Sequence, residues 1–128
     1  MAKSNESNHL ETTMKKAVIE MLLLKILSEG DAYGYQMSQE LKKRSAGNFS
    51  ILEGSMYPIL YRLLDAGYIT DRQEKVGRRM IRVYYHLEPK GKAYLGDLIG
   101  RLDKYIDMIH FLLDSKTGDV YERGADNE

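Results

Sequence analysis

Ser50-Ile51-Leu52-Glu53-Gly54-Ser55-Met56-Tyr57-Pro58-Ile59-Leu60-Tyr61-Arg62-Leu63-Leu64-Asp65-Ala66-Gly67-Tyr68-Ile69 decides how the rest of the chain is read. Met56, Ile59, Leu60, Leu63 and Leu64 recur at i, i+3, i+4, i+7 and i+8, so one side of a helix is apolar and faces a core. Ser55, Pro58 and Arg62 fall opposite, with Tyr57 and Tyr61 on the flank. That outer face carries hydroxyls, flat rings and a guanidinium, and its one acid is Asp65 at the far end. Such a face suits a phosphate-lined groove. Gly67 predicts the stop, as a glycine just past the last helical turn, and Tyr68-Ile69-Thr70 reads as strand. For the start, Ser50-x-x-Glu53 looks like a capping box, while Pro58 would remove the ladder bond to Gly54 in a helix beginning that early. The start is therefore placed near Glu53.

Working outward, the preceding segment reads as a helix of roughly Tyr33 to Arg44, with Met37 and Leu41 inward and Gln36, Gln39, Glu40 and Lys43 outward. Lys42, Lys43 and Arg44 fall in its last turn, where they favour the negative helix end or reach DNA. Ser45-Ala46-Gly47-Asn48 is a turn. Helix, turn, helix in this order is a DNA-binding arrangement. After Gly67 the period changes to two: Tyr68–Glu74 and Ile81–Leu87 read as strands around a basic, glycine-hinged tip, Lys75-Val76-Gly77-Arg78-Arg79. From Arg72 to Arg82 five basic residues stand against one acid, net +4. A hairpin with that charge after a recognition helix reads as a wing, and a solvated tip is the plainer alternative.

Towards the N-terminus, a helix from Thr13 carries Met14, Ala17, Val18, Met21, Leu22, Leu24 and Leu27 around more than one side, which suits a helix lying between its own domain and a second subunit. Towards the C-terminus, Pro89 fits a first helical position. Leu95, Leu98, Leu102, Tyr105, Ile109 and Leu112 then form a heptad seam that Ile99, Ile106 and Leu113 widen. A helix from Lys90 to Leu113 is roughly 36 Å long, more than a core of this size covers, so it is expected to pack on another copy. Gly96 and Gly100 inside it leave room for a close helix crossing or a ligand.

The 128 residues, 43% of them hydrophobic, indicate one domain. The expected organisation is a disordered N-terminal tail (1–12), a winged helix-turn-helix DNA-binding domain (13–87), a dimerisation helix (88–114) and an acidic mobile tail (115–128). From Asp114 to Glu128 two basic residues stand against five acidic ones, net −3. No apolar run is long enough to span a membrane, the start lacks a signal-peptide apolar stretch, and the absence of cysteine excludes disulfides and thiolate zinc. A cytoplasmic protein is expected. Asp103, Asp107 and His110 share a helix side, but the ligand set is incomplete and no metal or cofactor is expected. No nucleophile stands beside a base, which argues against an enzyme.

With these elements in view, the chain resembles the PadR family of winged-helix transcriptional regulators, in its short form with a single dimerising helix. The pieces that carry the resemblance are Asp31-Ala32-Tyr33-Gly34-Tyr35, Gly54 to Leu63, Asp65-Ala66-Gly67-Tyr68-Ile69, and Val83-Tyr84-Tyr85-His86-Leu87 with Gly91. It implies a mainly α fold with a small β-hairpin wing. It also implies that Tyr33, Gly34, Tyr35, Ser55, Met56, Tyr57, Pro58 and Arg62, with Arg78 and Arg79, contact double-stranded DNA. Arg62 has a plainer reading as an exposed residue paired with Asp65, and Tyr57 as core packing. Met14, Val18, Met21 and the seam from Leu95 to Leu113 are the expected homodimer interface.

Glu88-Pro89 stands where the family commonly has a threonine cap and an acid, and the hairpin is slightly longer than the commonest form. Some relatives are repressors released by small hydrophobic or aromatic effectors, and some stack drugs on a tryptophan of the last helix. This chain has no tryptophan. Ile99 aligns at that position, so stacking there is not carried over. The expected function is a homodimeric repressor of a pseudo-palindromic operator. The alternative is a winged-helix ligand sensor or protein adaptor that does not read DNA.

Overall fold

The structure, a computed structural model, describes residues 2–122; readings that fall on residue 1 and on 123–128, the ends of the two tails, lie outside the described residues. The elements in chain order are α1 (Ala2–Leu27), β1 (Ala32–Tyr33), α2 (Gly34–Arg44), α3 (Glu53–Asp65), β2 (Ile69–Lys75), β3 (Ile81–Leu87) and α4 (Pro89–Asp114). The chain is thus mainly helical with one small antiparallel sheet, in the order β1-β3-β2. Among the described residues no helix is long and apolar enough to cross a membrane.

The core gathers the buried stripe of α3, Met56, Leu60 and Leu63, against Leu23, Leu24 and Leu27 of α1, Met37 and Leu41 of α2, and Ile69 and Tyr85 of the sheet. Fully burying one such aliphatic side chain contributes about 1.5–3 kcal/mol, so the periodicity of α3 is also its anchorage. Ile59 and Leu64 lie at the stripe's edge, half-buried. The helix ends as Gly67 predicts. Gly67 takes φ +80°, its N–H donates to Leu64 O at 3.0 Å, and the Tyr68 N–H donates to Leu63 O at 3.0 Å. A left-handed residue with that pair of bonds closes the last turn.

Several boundaries differ from the sequence reading for identifiable reasons. α1 extends to Ala2 instead of starting at Thr13 after a disordered tail; no proline or glycine lies between Ala2 and Leu27 to stop it. α3 does start at Glu53, but its N-cap is Leu52 without a side-chain cap bond, so the Ser50 capping box does not form. Pro58 lies inside the helix and leaves the Gly54 carbonyl without its ladder partner. Gly54 is exposed, where water can take that bond. β1 is a two-residue strand pairing Ala32 with Tyr85 and Tyr33 with Tyr84. It is too short to carry a period.

The chain divides into a unit ending at Leu95 and a second from Gly96 onward. Leu95 is buried in the first unit; this corrects its assignment to a dimer interface, because the core already covers it. In the second unit Ile99, Tyr105, Ile106, Ile109, Leu112 and Leu113 are exposed, Leu98 and Leu102 are half-buried, and Phe111 meets Tyr121 edge-on at 5.6 Å.

Candidate nucleic-acid interface

α2 enters the site through Gly34. A Cβ there would stand 2.9 Å from the Tyr57 hydroxyl oxygen, so glycine lets the start of α2 close on α3. Tyr57 is half-buried. Its hydroxyl donates to Glu53 Oε2 at 3.3 Å, and its ring stacks with that of Tyr61 at 6.3 Å between centroids. Burial, with the Glu53 carboxylate second, pushes the Tyr57 hydroxyl pKa up, and it stays a neutral donor at physiological pH. Tyr33, Tyr35, Tyr57, Tyr61, Ile81 and Arg82 line a groove of about 400 Å³ between the start of α2, α3 and β3. Behind it, burial first of all raises the Tyr85 hydroxyl to about 12.

The hairpin that forms the groove's other wall is held by charge and rings. β2 pairs with β3 from Ile69–Leu87 to Lys75–Ile81. The Arg82 guanidinium lies 4.3 Å from the Tyr33 ring centroid and Arg72 lies 5.1 Å from that of Tyr84, contacts worth roughly 0.5–1 kcal/mol each at exposed sites. Asp31 pairs with Arg72 and with His86 Nδ1 at 2.7 Å. The His86 hydrogen bond, more than the arginine, lowers the Asp31 pKa, with burial opposing. These contacts tie β1 to the wing.

Of the expected DNA-contacting residues, Tyr33, Gly34, Tyr35 and Tyr57 come together at the groove, and Arg78 and Arg79 are exposed at the hairpin tip. Pro58 is exposed on the outer arc of α3. Ser55 lies on the other flank, lining a cavity of about 350 Å³ with Lys15 and Ile19 of α1 and Phe49. Two assignments are corrected. Met56 is 0% exposed because it belongs to the buried stripe, and Gly34 is buried because its role is close packing. Neither has surface to offer a duplex.

Arg62 keeps an exposed side chain, but its partner is Glu20 of α1 and not Asp65. The Arg62 Nε donates to Glu20 Oε1 at 3.1 Å, while the Tyr94 hydroxyl donates to Glu20 Oε2 at 2.6 Å. The Arg62 side chain is 62% exposed and that of Glu20 16%, so the burial cost falls on the carboxylate. Tyr94, donating to Glu20, is raised to about 12, and its ring stacks on Tyr68 at 4.1 Å.

Sequence reasoning left Tyr61 and Arg82 out of the site. Tyr61 is exposed one turn after Tyr57, and that i+4 spacing was the available signal. Arg82 could be found only from the cross-strand register that brings Tyr33 beside Tyr84.

Three comparisons bear on this geometry. The family model described as "Transcriptional regulator PadR-like family" matches residues 23–97, more than half of the chain. The negative transcriptional regulator PadR of Bacillus subtilis is 30% identical over 84 residues, covering 66% of this chain and 46% of that protein. The solved structure of Bacillus subtilis PadR in complex with operator DNA matches with a TM-score of 0.60 at 29% identity, over 64% of this chain and 45% of that one. A PadR family regulator from Eggerthella lenta matches in fold with a TM-score of 0.81 at 23% identity, over 91% and 99% of the two chains. The chain spans less than half the length of the Bacillus subtilis regulator.

Proposed function

The chain belongs to the PadR-like family of transcriptional regulators, and from that premise we propose that it is a cytoplasmic homodimeric repressor of a pseudo-palindromic operator, released by a small hydrophobic or aromatic effector. In this reading α3 of each subunit enters the major groove and the wings lie alongside. The carrying observation is the outer arc of α3, with Pro58 and Tyr61 exposed, beside a hairpin whose tip holds Arg78 and Arg79. Residues 13–87 make the reading head, 88–114 the dimerisation helix, and 115–128 an acidic tail.

Pairing of two copies is supported by the exposed apolar residues of α4 and by Met14, Val18 and Met21, which the core leaves exposed or half-buried. The cavity between α1 and the segment leading into α3 supports an effector. Its volume of about 350 Å³ falls in the range that holds small ligands.

Two experiments test the reading. Purified protein should retain the DNA immediately upstream of its own gene; failure to bind any promoter in dilute buffer would leave only the sensor or adaptor alternative. Removing Arg78 and Arg79 together should weaken binding across sequences and make the slope of log affinity against log salt shallower by about two per wing, since each phosphate contact contributes about one.

Arg62 acts as a phosphate clamp by exchanging Glu20 for DNA. Accordingly, Arg62→Ala should weaken operator binding with a slope shallower by about one per subunit, and Glu20→Gln should strengthen binding by releasing the guanidinium. An unchanged affinity and slope in Arg62→Ala would assign the side chain to its ion pair alone.

A further inference from the structure

Met80 and Ile81 stand exposed at the head of the hairpin, with 56% and 57% of their surfaces in water. The Val76 N–H donates to Met80 O at 2.8 Å, so Met80 is the last position held by the ladder before the turn of Gly77, Arg78 and Arg79. Gly77 takes φ +86°, a left-handed turn conformation that glycine adopts without strain. Ile81 lines the groove against α3, and Met80 does not. Met80 is thus an apolar side chain fixed at its backbone, uncommitted to the groove, and set among cations.

Its surroundings select the partner. Lys75, Arg78, Arg79 and Arg82 lie within five residues of it, and the nearest carboxylate in sequence, Glu74, accepts from Arg72 Nε at 2.8 Å. A large apolar side chain flanked by guanidinium groups matches one surface well: a DNA minor groove, whose phosphate walls take the cations and whose base steps admit a wedge. Methionine is unbranched and polarizable, and therefore fits a gap between stacked bases better than a stiff β-branched residue.

We propose that Met80 is a wedge that enters between base pairs in the minor groove beside each half-site, partly unstacking one step and bending the duplex. The inference rests on the reading of this chain as a DNA-binding regulator and adds how its wing reads sequence. Flexible pyrimidine–purine steps should be favoured at the wing positions over stiff A-tracts, although no base edge is hydrogen-bonded there.

The test uses the full chain and a duplex that it selects from a random pool, labelled at its ends with a dye pair and carrying 2-aminopurine at successive flanking positions. The wild type should raise 2-aminopurine fluorescence at one step in each flank and bring the ends closer, by a bend of roughly 20–90°. Met80→Ala should abolish both signals and weaken binding roughly tenfold, the scale of one lost contact, with an unchanged salt slope. Met80→Leu should restore them, and Arg78→Ala with Arg79→Ala should instead change the slope.

A wild-type complex with no unstacked flank, or a Met80→Ala complex as bent as the wild type, would overturn the wedge while leaving DNA binding intact. Selection of no duplex at all would overturn both.

Discussion

Ile106→Lys should yield monomers at micromolar concentration and lower affinity for a two-site operator by about 10²–10⁴-fold, the gain that linking two weak binding events would supply. In the second unit Ile99, Tyr105, Ile106, Ile109, Leu112 and Leu113 are all exposed. Solvated helices do not ordinarily leave so continuous an apolar side uncovered. In a two-fold pairing each substitution occurs twice, so two ammonium groups would be placed in one apolar seam with no carboxylate introduced to meet them.

The reading head should survive this change, because the core residues of the first unit end at Leu95. Far-ultraviolet circular dichroism and the unfolding transition of that unit should therefore be retained. Lys104→Glu on the polar side is the control and should stay dimeric. Sedimentation at several concentrations decides the matter; a dimeric Ile106→Lys protein with full operator affinity would remove α4 as the pairing element.

How far these elements could be read in advance follows from the distance over which their causes act. α3 was legible because its cause is local: five apolar residues at helical spacing and a glycine stop, both within one short segment. The hairpin and the length of α4 were legible for the same reason, through a period of two and a heptad. Arg62 was not, since its partner Glu20 lies on another helix and no spacing rule connects them. Met56 was misassigned by treating a contiguous motif as a contiguous surface; the helical period that placed it in the core was the better guide. β1 was missed because two residues carry no alternation, and its pairing with β3 is a tertiary fact. At the site, Arg82 was missed because it owes its position to the same long-range pairing, whereas Tyr61 lay within reach of a local rule, four residues after Tyr57 on one helix.

Gly91→Ala, where the first turn of α4 meets the reading head, should be the most damaging single-methyl change in the first unit. In α4 an alanine would ordinarily stabilise by about 1 kcal/mol relative to glycine. Here a Cβ would fall 2.1 Å from the Tyr68 carbonyl oxygen and 2.7 Å from Leu87 Cδ1. The carbonyl cannot swing aside cheaply, because it accepts the Glu88 N–H at 3.0 Å while the Tyr68 N–H is bonded to Leu63 O at 3.0 Å. Tyr68 thus joins the end of α3, the start of β2 and the first turn of α4. Lys90 Nζ adds a bond to the Ala66 carbonyl at 2.8 Å.

Backbone has to move to admit the methyl, so the overpacking cost should exceed the usual range of about 1–3 kcal/mol and outweigh the gain in helix propensity. A net loss of about 2 kcal/mol or more would lower the urea midpoint by roughly 1 M for a chain of this size. Operator affinity should fall further than the unfolded fraction explains, because the displaced junction carries the C-terminal end of α3. The comparison is Gly96→Ala, whose Cβ meets nothing within 4 Å, made in the Ile106→Lys monomer so that pairing does not enter. It should be neutral or stabilising, by up to about 1 kcal/mol. If Gly91→Ala unfolds at the same urea concentration as the parent, the close approach of α4 to Tyr68 is not what holds the recognition helix in place.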